Sequence, residues 1–410
     1  MTDATTLNHA SLPRDRRLRL GLSIARLIKA GTLEVILPDG SVHHFAGAEP
    51  GPAATLIVRD ARMIAKLVFG GSLGLSEAYL DGDWDSPNLI DVLRLGTLNE
   101  AAWEDMLRGK LWARVVSAIA HKLRPNTRKG ARRNIAEHYD LGNDFYASWL
   151  DGTMTYSAAL FDRDASNLEA AQRSKIHRLC KALELQPGMS VLEVGCGWGS
   201  FAEAAARSGL RVDGLTLSTE QLSYAQRRLQ AAGLGEQARL ELRDYRDVGA
   251  IAPTGGYDGI ASIEMFEAVG ETYWPIFFRT LASQLKPGGR ACIQTITISE
   301  AIFPQYRRGT DFIQQYIFPG GMLPSQTAFA EQARRVGLEV VDTLSFGQDY
   351  ATTLALWRER YLAQLEAVRG QGFDKRFTLL WEFYLAYCEA GFAQQTIDVV
   401  QFTLRHIRSA

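Results

Sequence analysis

Nine consecutive residues carry the first chemical signal: Val191-Leu192-Glu193-Val194-Gly195-Cys196-Gly197-Trp198-Gly199. An apolar run leads into alternating glycines and an amphipathic segment follows, which reads as a strand, a tight loop and a helix. The glycines let the backbone turn sharply and approach a ligand with no Cβ in the way. The spacing is Glu-x-Gly-x-Gly-x-Gly rather than the Gly-x-Gly-x-x-Gly that cradles a pyrophosphate, although the glycines alone leave a dinucleotide site open. Glu193, Gly195, Cys196 and Gly197 are the candidate contacts in this loop. Two more clusters fall where the next strands should end, Thr216-Leu217-Ser218 with Gln221, and Asp244-Tyr245. Hydroxyls and an amide can hold a ribose, though more weakly than a carboxylate does. Asp244 and Tyr245 are placed to meet the edge and the face of an adenine.

Setting these clusters at strand ends requires alternating strands and helices, and the pattern supplies them. Strands are expected at residues 190–194, 211–217, 238–242, 257–263 and 289–297, with helices at 201–208, 220–232 and 274–285. That alternation predicts a mostly parallel sheet covered by helices on both faces. From about residue 361 the chain reads as helices with apolar faces, including 377–387. The first part reads instead as α+β. A helix at 18–27 precedes a hairpin of 33–37 and 42–45 around Pro38-Asp39-Gly40, and a third strand at 54–58. A helix at 61–69 is followed by a glycine-rich break and a helix from Pro87 to residue 95, with Ser86 as its N-cap.

A chain of 410 residues predicts two domains, each able to bury a core. The boundary falls in a stretch with Pro125, Asn126 and Gly130, giving residues 1–125 and 126–410. From Arg108 to Arg133 there are nine Lys/Arg and no Asp or Glu. This reads either as a solvated linker or as a patch attracted to anionic lipid headgroups, worth roughly 1 kcal/mol per basic residue near the surface. The net charge of −1 gives no global polycation for nucleic acid. Four cysteines with no CxxC spacing suggest a reducing cytoplasm, and no metal pattern is present. The N-terminus lacks an apolar signal core. Since no run reaches about 18 apolar residues, any membrane contact should be peripheral.

The glycine loop resembles the first motif of class I methyltransferases, which implies S-adenosylmethionine as cofactor. That molecule carries a sulfonium and a ribose but no diphosphate, so its site needs acceptors, with Glu193 near the methionine end. Further segments, in order over roughly residues 60–380, together resemble the cyclopropane-fatty-acyl-phospholipid synthase family. They include Leu73-Gly74-Leu75-Ser76-Glu77-Ala78-Tyr79-Leu80-Asp81-Gly82, His138-Tyr139-Asp140-Leu141-Gly142-Asn143 and Met154-Thr155-Tyr156-Ser157. Others are Glu264-Met265-Phe266-Glu267-Ala268-Val269-Gly270, Phe312-Ile313-Gln314-Gln315-Tyr316-Ile317-Phe318-Pro319-Gly320-Gly321 and Tyr350-Ala351-Thr352-Thr353-Leu354. The resemblance implies a Rossmann-like α/β methyltransferase domain behind a smaller α+β lipid-binding domain. It also implies action on unsaturated acyl chains of phospholipids at the membrane surface, a homodimer, and Tyr156 and Ser157 in the cofactor site.

Methylating an isolated alkene requires the electrophilic methyl to be held in line with the π bond. The carbocation left on the acyl chain needs a dry pocket lined by aromatic rings. Tyr139, Phe266, Tyr316, Phe318 and Tyr350 are candidates for that lining. Proton loss from the new methyl closes a cyclopropane, whereas loss from a chain carbon leaves a methyl- or methylene-branched chain, so the base chooses the product. In the ring-forming members a bicarbonate held by five positions is thought to be the base. Glu267, Ile296 and Tyr350 match three of these, but Ala158 replaces a cysteine and Gln294 a histidine. Gln294 cannot carry a positive charge to hold an anion. Bicarbonate is therefore a doubtful base here, and Glu267, Tyr350 or His138 are the candidates in its place for a branch that methylates without closing the ring, with cyclopropane closure as the alternative.

Overall fold

The computed structural model describes residues 13–107, 130–131, 141–163 and 165–407. His138, Tyr139 and nearly all of the basic stretch lie outside these residues. The chain divides into two compact units, Met1–Ser117 with Asp374–Gln394, and Ala118–Phe373 with Gln395–Ala410.

The first unit is built on a four-stranded sheet in the order β2-β1-β3-β4. Strand β1 (Ala30–Ile36) pairs antiparallel with β2 (Val42–Ala46) across the expected turn, and parallel with β3 (Glu49–Val58). The short β4 (Trp84–Asp85) closes antiparallel on β3. Burial alternates along β1, with Leu33 and Val35 facing the core, as a sheet wetted on one side requires. The buried Asn99 ties the helix Leu89–Leu107 to this sheet. Its Oδ1 accepts from Lys29 N (2.6 Å) and Ala30 N (3.1 Å), while its Nδ2 donates to Ala30 O (3.0 Å).

One expectation holds in this unit and another changes. The glycine-rich break falls at Gly71, whose φ of 60° and ψ of −137° are not helical and separate two helical segments within Arg62–Leu80, the second of which the sequence did not reveal. The helix Lys375–Ala393 also belongs here, where the expected boundary places it in the second domain. It buries Trp381, Phe383 and Phe392, and Phe383 packs on Tyr79 with ring centroids 5.5 Å apart.

The second unit holds a seven-stranded sheet in the order β10-β11-β9-β8-β5-β6-β7. Its members are β5 (Ser190–Val194), β6 (Arg211–Thr216), β7 (Ala238–Leu242), β8 (Tyr257–Ile263), β9 (Leu285–Ile298), β10 (Leu338–Ser345) and β11 (Ile397–His406). Strands β5 to β9 run parallel, and β11 is antiparallel to both neighbours. Alternate residues point to opposite faces, so two apolar cores form. Leu192, Val194, Ile260 and Ile293 enter one; Val191, Val212, Ala261 and Cys292 enter the other. The expectation of helices alone after residue 361 is corrected by β11. Its β-branched and aromatic run Val399-Val400-Gln401-Phe402-Thr403 is buried on both faces, which suits an interior strand.

Among the described residues no helix is long and apolar enough to cross a membrane, and no group of His, Cys, Asp and Glu is arranged to hold a metal ion.

Candidate functional site

The glycine loop leaves the C-terminal end of β5 and enters the helix Ser200–Arg207. Gly195, Gly197 and Gly199 have φ of 88°, 49° and 84°. A Cβ on Gly195 would stand 2.9 Å from Met265 Cβ, so the loop's close passage depends on glycine there. The loop is anchored by Gly195 N and Cys196 N, which both donate to Leu215 O at 3.0 and 2.8 Å. Glu193 lies beneath it, buried, accepting from Ala202 N but with Oε2 lacking a partner among the described residues. Burial pushes its carboxyl up to about 8.

At the end of β6, Thr216 Oγ1 accepts from Ser218 N (3.2 Å) and donates to Gln221 Oε1 (3.1 Å), and Ser218 Oγ caps the helix Thr219–Ala231 by accepting from Gln221 N (3.2 Å). Leu217 is half-buried between them. The trio thus satisfies much of its own polarity and presents the Gln221 amide NH2 as the donor not engaged by these bonds. Asp244 is gripped by the Arg246 guanidinium (Nε–Oδ1 2.8 Å, Nη2–Oδ2 2.5 Å). Tyr245 packs edge-on against Phe277, and burial pushes its phenol up to about 12. Tyr156 lies among the rings of Tyr146, Trp149 and Trp357 at 5.4 to 5.5 Å, with Trp198 of the glycine loop 4.9 Å from Tyr146. Thus an unpartnered buried carboxylate oxygen, a loop that excludes Cβ atoms and an aromatic wall fit a cofactor with a cation and a ribose better than one with a diphosphate.

The second cluster centres on a residue that sequence reasoning did not single out. Glu264 follows β8 with φ of 50°, a left-handed conformation uncommon for a side chain of this size. Its Oε1 accepts from Ala158 N (2.9 Å) and Gln294 Nε2 (2.7 Å), and its Oε2 accepts from the Tyr350 hydroxyl (2.7 Å). Strand register places Gln294 there. It lies opposite Ile263 on β8 and Gln401 on β11, and Glu264 N donates to Gln294 O at 2.8 Å. Gln401 Nε2 donates to Gln294 Oε1 (3.0 Å), so the Gln294 amide nitrogen must face Glu264. Tyr350 sits in the first turn of the helix Gly347–Ala363, which is pinned to β11 by Gly347 N donating to Asp398 Oδ1 (2.8 Å). Ala158 lies on a loop fixed along that helix by Ala159 N to Thr353 Oγ1 (3.1 Å) and Phe161 N to Asp349 Oδ2 (2.9 Å). Burial raises the Glu264 carboxyl above its ordinary value, and the Lys175 charge and the three donors oppose that rise. The signal available in the sequence was a glutamate three residues before Glu267, at the end of a strand.

Glu267 has a different setting. Its Oε1 accepts from Ile296 N at 2.5 Å, and its Oε2 is buried without a partner among the described residues. Burial, reinforced by the neighbouring Glu264 charge, pushes it up to about 8, so it holds its proton at neutral pH. The Glu267 carbonyl accepts from Met322 N (2.9 Å), tethering the segment that carries Tyr316 and Phe318. Those two are half-buried, Tyr316 on a π-helical turn beside Phe312. Phe266 points the other way, fully buried among Trp274, Phe277, Phe278 and Phe329 as core. Structure therefore brings Gln294, Tyr350 and Ala158 together on Glu264, keeps Glu267 and Ile296 beside it, and sets Phe266 apart.

Comparisons with known proteins give the chain's family. Residues 126–402 match the family model described as mycolic acid cyclopropane synthetase. The chain is 39% identical to the tuberculostearic acid methyltransferase UfaA1 of Mycobacterium tuberculosis, covering 96% of this chain and 94% of that protein. It is 34% identical to the cyclopropane-fatty-acyl-phospholipid synthase of Escherichia coli K12, over 90% and 94% of the two chains. Among solved structures, the mycolic acid cyclopropane synthase CmaA1 complexed with SAH and CTAB superposes with a TM-score of 0.61 at 33% identity, over 67% of this chain and 97% of that one.

Proposed function

The chain belongs to the mycolic acid cyclopropane synthetase family, and from that premise we propose that Glu264 is the base of a methyl transfer that leaves an unsaturated acyl chain methyl- or methylene-branched. The coarser activity is that of the family: S-adenosylmethionine-dependent methyl transfer to unsaturated fatty acyl chains. The observation that carries the finer reading is the convergence of Ala158 N–H, the Gln294 amide and the Tyr350 hydroxyl on the Glu264 carboxylate. A carboxylate belonging to the chain takes the donors that the family resemblance assigns to a bicarbonate.

Bound S-adenosylmethionine would supply an electrophilic methyl group, the pair of the broken S–CH3 bond leaving with S-adenosylhomocysteine. Glu193, the glycine loop, Gln221 and the Tyr156 wall are the residues to hold it. On the acyl chain the π pair forms the new C–C bond, and the adjacent carbon is left cationic. A C–H pair on the neighbouring chain carbon then refills that centre to give a methyl-branched alkene. Alternatively, a 1,2-hydride shift first moves the cation to the methyl-bearing carbon, and a methyl C–H pair forms the exocyclic methylene. In both routes the proton passes to a Glu264 oxygen, so charge balances within the site. Three donors stabilise the carboxylate before the transfer, and Glu267, protonated at neutral pH, adds no second negative charge. Half-buried Tyr316 and Phe318 shield the cation and exclude water. We place the acceptor at a lipid surface, as phospholipid acyl chains require.

The test uses vesicles of monounsaturated phospholipid and a donor with a deuterated methyl. A branched product retains three deuteriums as a methyl or two as an exocyclic methylene. A product retaining two deuteriums with cyclopropane proton resonances would overturn the branching half of the proposal; the Escherichia coli relative is what favours that alternative. Glu264→Gln should lower turnover at least about 100-fold, the usual scale for losing a general base, with S-adenosylhomocysteine affinity kept. Turnover in that variant within tenfold of the parent would remove Glu264 from the mechanism.

A further inference from the structure

Lys175 is buried completely on the helix Leu168–Leu183. Its one hydrogen bond among the described residues runs from Nζ to Ser157 Oγ at 2.6 Å. A lone ammonium in a protein interior costs several kcal/mol unless a negative charge compensates it. The methyl transfer itself gives this lysine no role. Ser157 is followed by Ala158, whose N–H donates to Glu264, so the ammonium and the proposed base bond to adjacent residues of one dipeptide.

Resting on the assignment of Glu264 as base, we propose that Lys175 is a positioning residue, the fixed counter-charge that keeps the Glu264 carboxylate ionised and ready to accept a proton. Every group facing the pair fits this role. Gln294 from β9, Tyr350 from the helix Gly347–Ala363 and Ala158 N–H from the loop give Glu264 neutral donors only. Glu267 is the other nearby carboxyl and, being protonated at neutral pH, brings no charge of either sign to the pair. Among the described residues Asp151, buried, is the only further carboxylate that acts on Lys175. Burial pulls the Lys175 ammonium down to about 8, with Glu264 and then Asp151 holding it charged against that pull. As Lys175 can only donate, Ser157 Oγ accepts from it and keeps its own proton for a cofactor acceptor. One lysine therefore orients the cofactor-side hydroxyl and charges the base.

The experiment is a double-mutant cycle on the full chain, read as chemical unfolding at pH 7. Lys175→Met strands a carboxylate and Glu264→Gln strands an ammonium, whereas the double variant strands neither. The double variant is expected to unfold less readily than Lys175→Met alone, with a coupling of roughly tenfold in the unfolding constant. Additive losses would overturn the proposal. A second readout is the pH profile of turnover on monounsaturated phospholipid vesicles. Lys175→Met should move its acid limb upward by about one pH unit or more, whereas a merely structural lysine would scale the profile without moving it. Coupling in unfolding with full activity in Glu264→Gln would instead sink the base assignment and leave the charge pair standing, so the two failures are distinguishable.

Discussion

Two glutamates three residues apart divide one pair of protonation states between them. Glu264 meets three donors and a lysine; Glu267 meets one peptide N–H and the repulsion of its neighbour. On the proposed assignment of Glu264 as base, removing one of its three donors should weaken it without abolishing it. Tyr350→Phe is expected to cost about tenfold in turnover, a charged hydrogen bond being worth roughly 1.5–3 kcal/mol, and to spare cofactor binding, measurable by calorimetry. The raised carboxyls also set how stability responds to pH. Glu193 and Glu267 keep their protons to about 8 in the folded protein, while in the unfolded chain they ionise near 4.5. Between those values the folded state binds more protons, so stability should fall as pH rises from about 5 to 8. Lys175 acts oppositely higher up, since it deprotonates near 8 when folded and near 10.5 when unfolded. Glu267→Gln should gain on the parent in melting temperature by several degrees between pH 5 and pH 8, each tenfold difference in proton affinity between the folded and unfolded chain being worth about 1.4 kcal/mol. A gap that stays constant with pH would mean Glu267 is ionised throughout.

At the scale of elements, strand ends carry the chemistry, and the loops at those ends leave no room for substitution. Gly195→Ala must place a Cβ against Met265 at a φ of 88°. Strain of about 1–3 kcal/mol should appear as at least about fivefold weaker S-adenosylhomocysteine binding in titration calorimetry. The alternation of β5 to β9 with helices is legible in the sequence because period-2 and period-3.6 patterns are cleanest in buried parallel strands and their covering helices. The Glu193 loop, the Thr216–Gln221 cap and Asp244-Tyr245 fall at strand ends for the same reason. Glu264 escapes such a reading because its role depends on register. Gln294 and Tyr350, 30 and 86 residues further on, become its partners only once β9 and β11 are paired. Phe266 shows the opposite error: an aromatic beside a catalytic motif that the fold spends on core. Strand β11 is hidden because its polar Gln401 and Thr403 interrupt an apolar run, although both are buried and Gln401 is bonded to Gln294.

At the scale of the molecule, the chain leaves the second unit after Phe373, contributes the helix Lys375–Ala393 to the first, and returns at Gln395. Trp381 is the anchor of that visit, stacked on Phe377 and edge-on to Tyr384. Trp381→Ala should cost about 3–5 kcal/mol of stability, read as a lower denaturant midpoint. The return leg has a temporal consequence. Ribosomes make proteins from the amino end, and β11 is the last of the described elements to emerge, yet it lies between β9 and β10 and aligns Gln294 through Gln401. Until residue 406 clears the exit tunnel, β9 and β10 face a gap one strand wide, each with an unsatisfied edge that a chaperone must shield or a neighbouring nascent chain can invade. The seven-stranded sheet is thus completed only once β11, the last of its strands in chain order, has been translated.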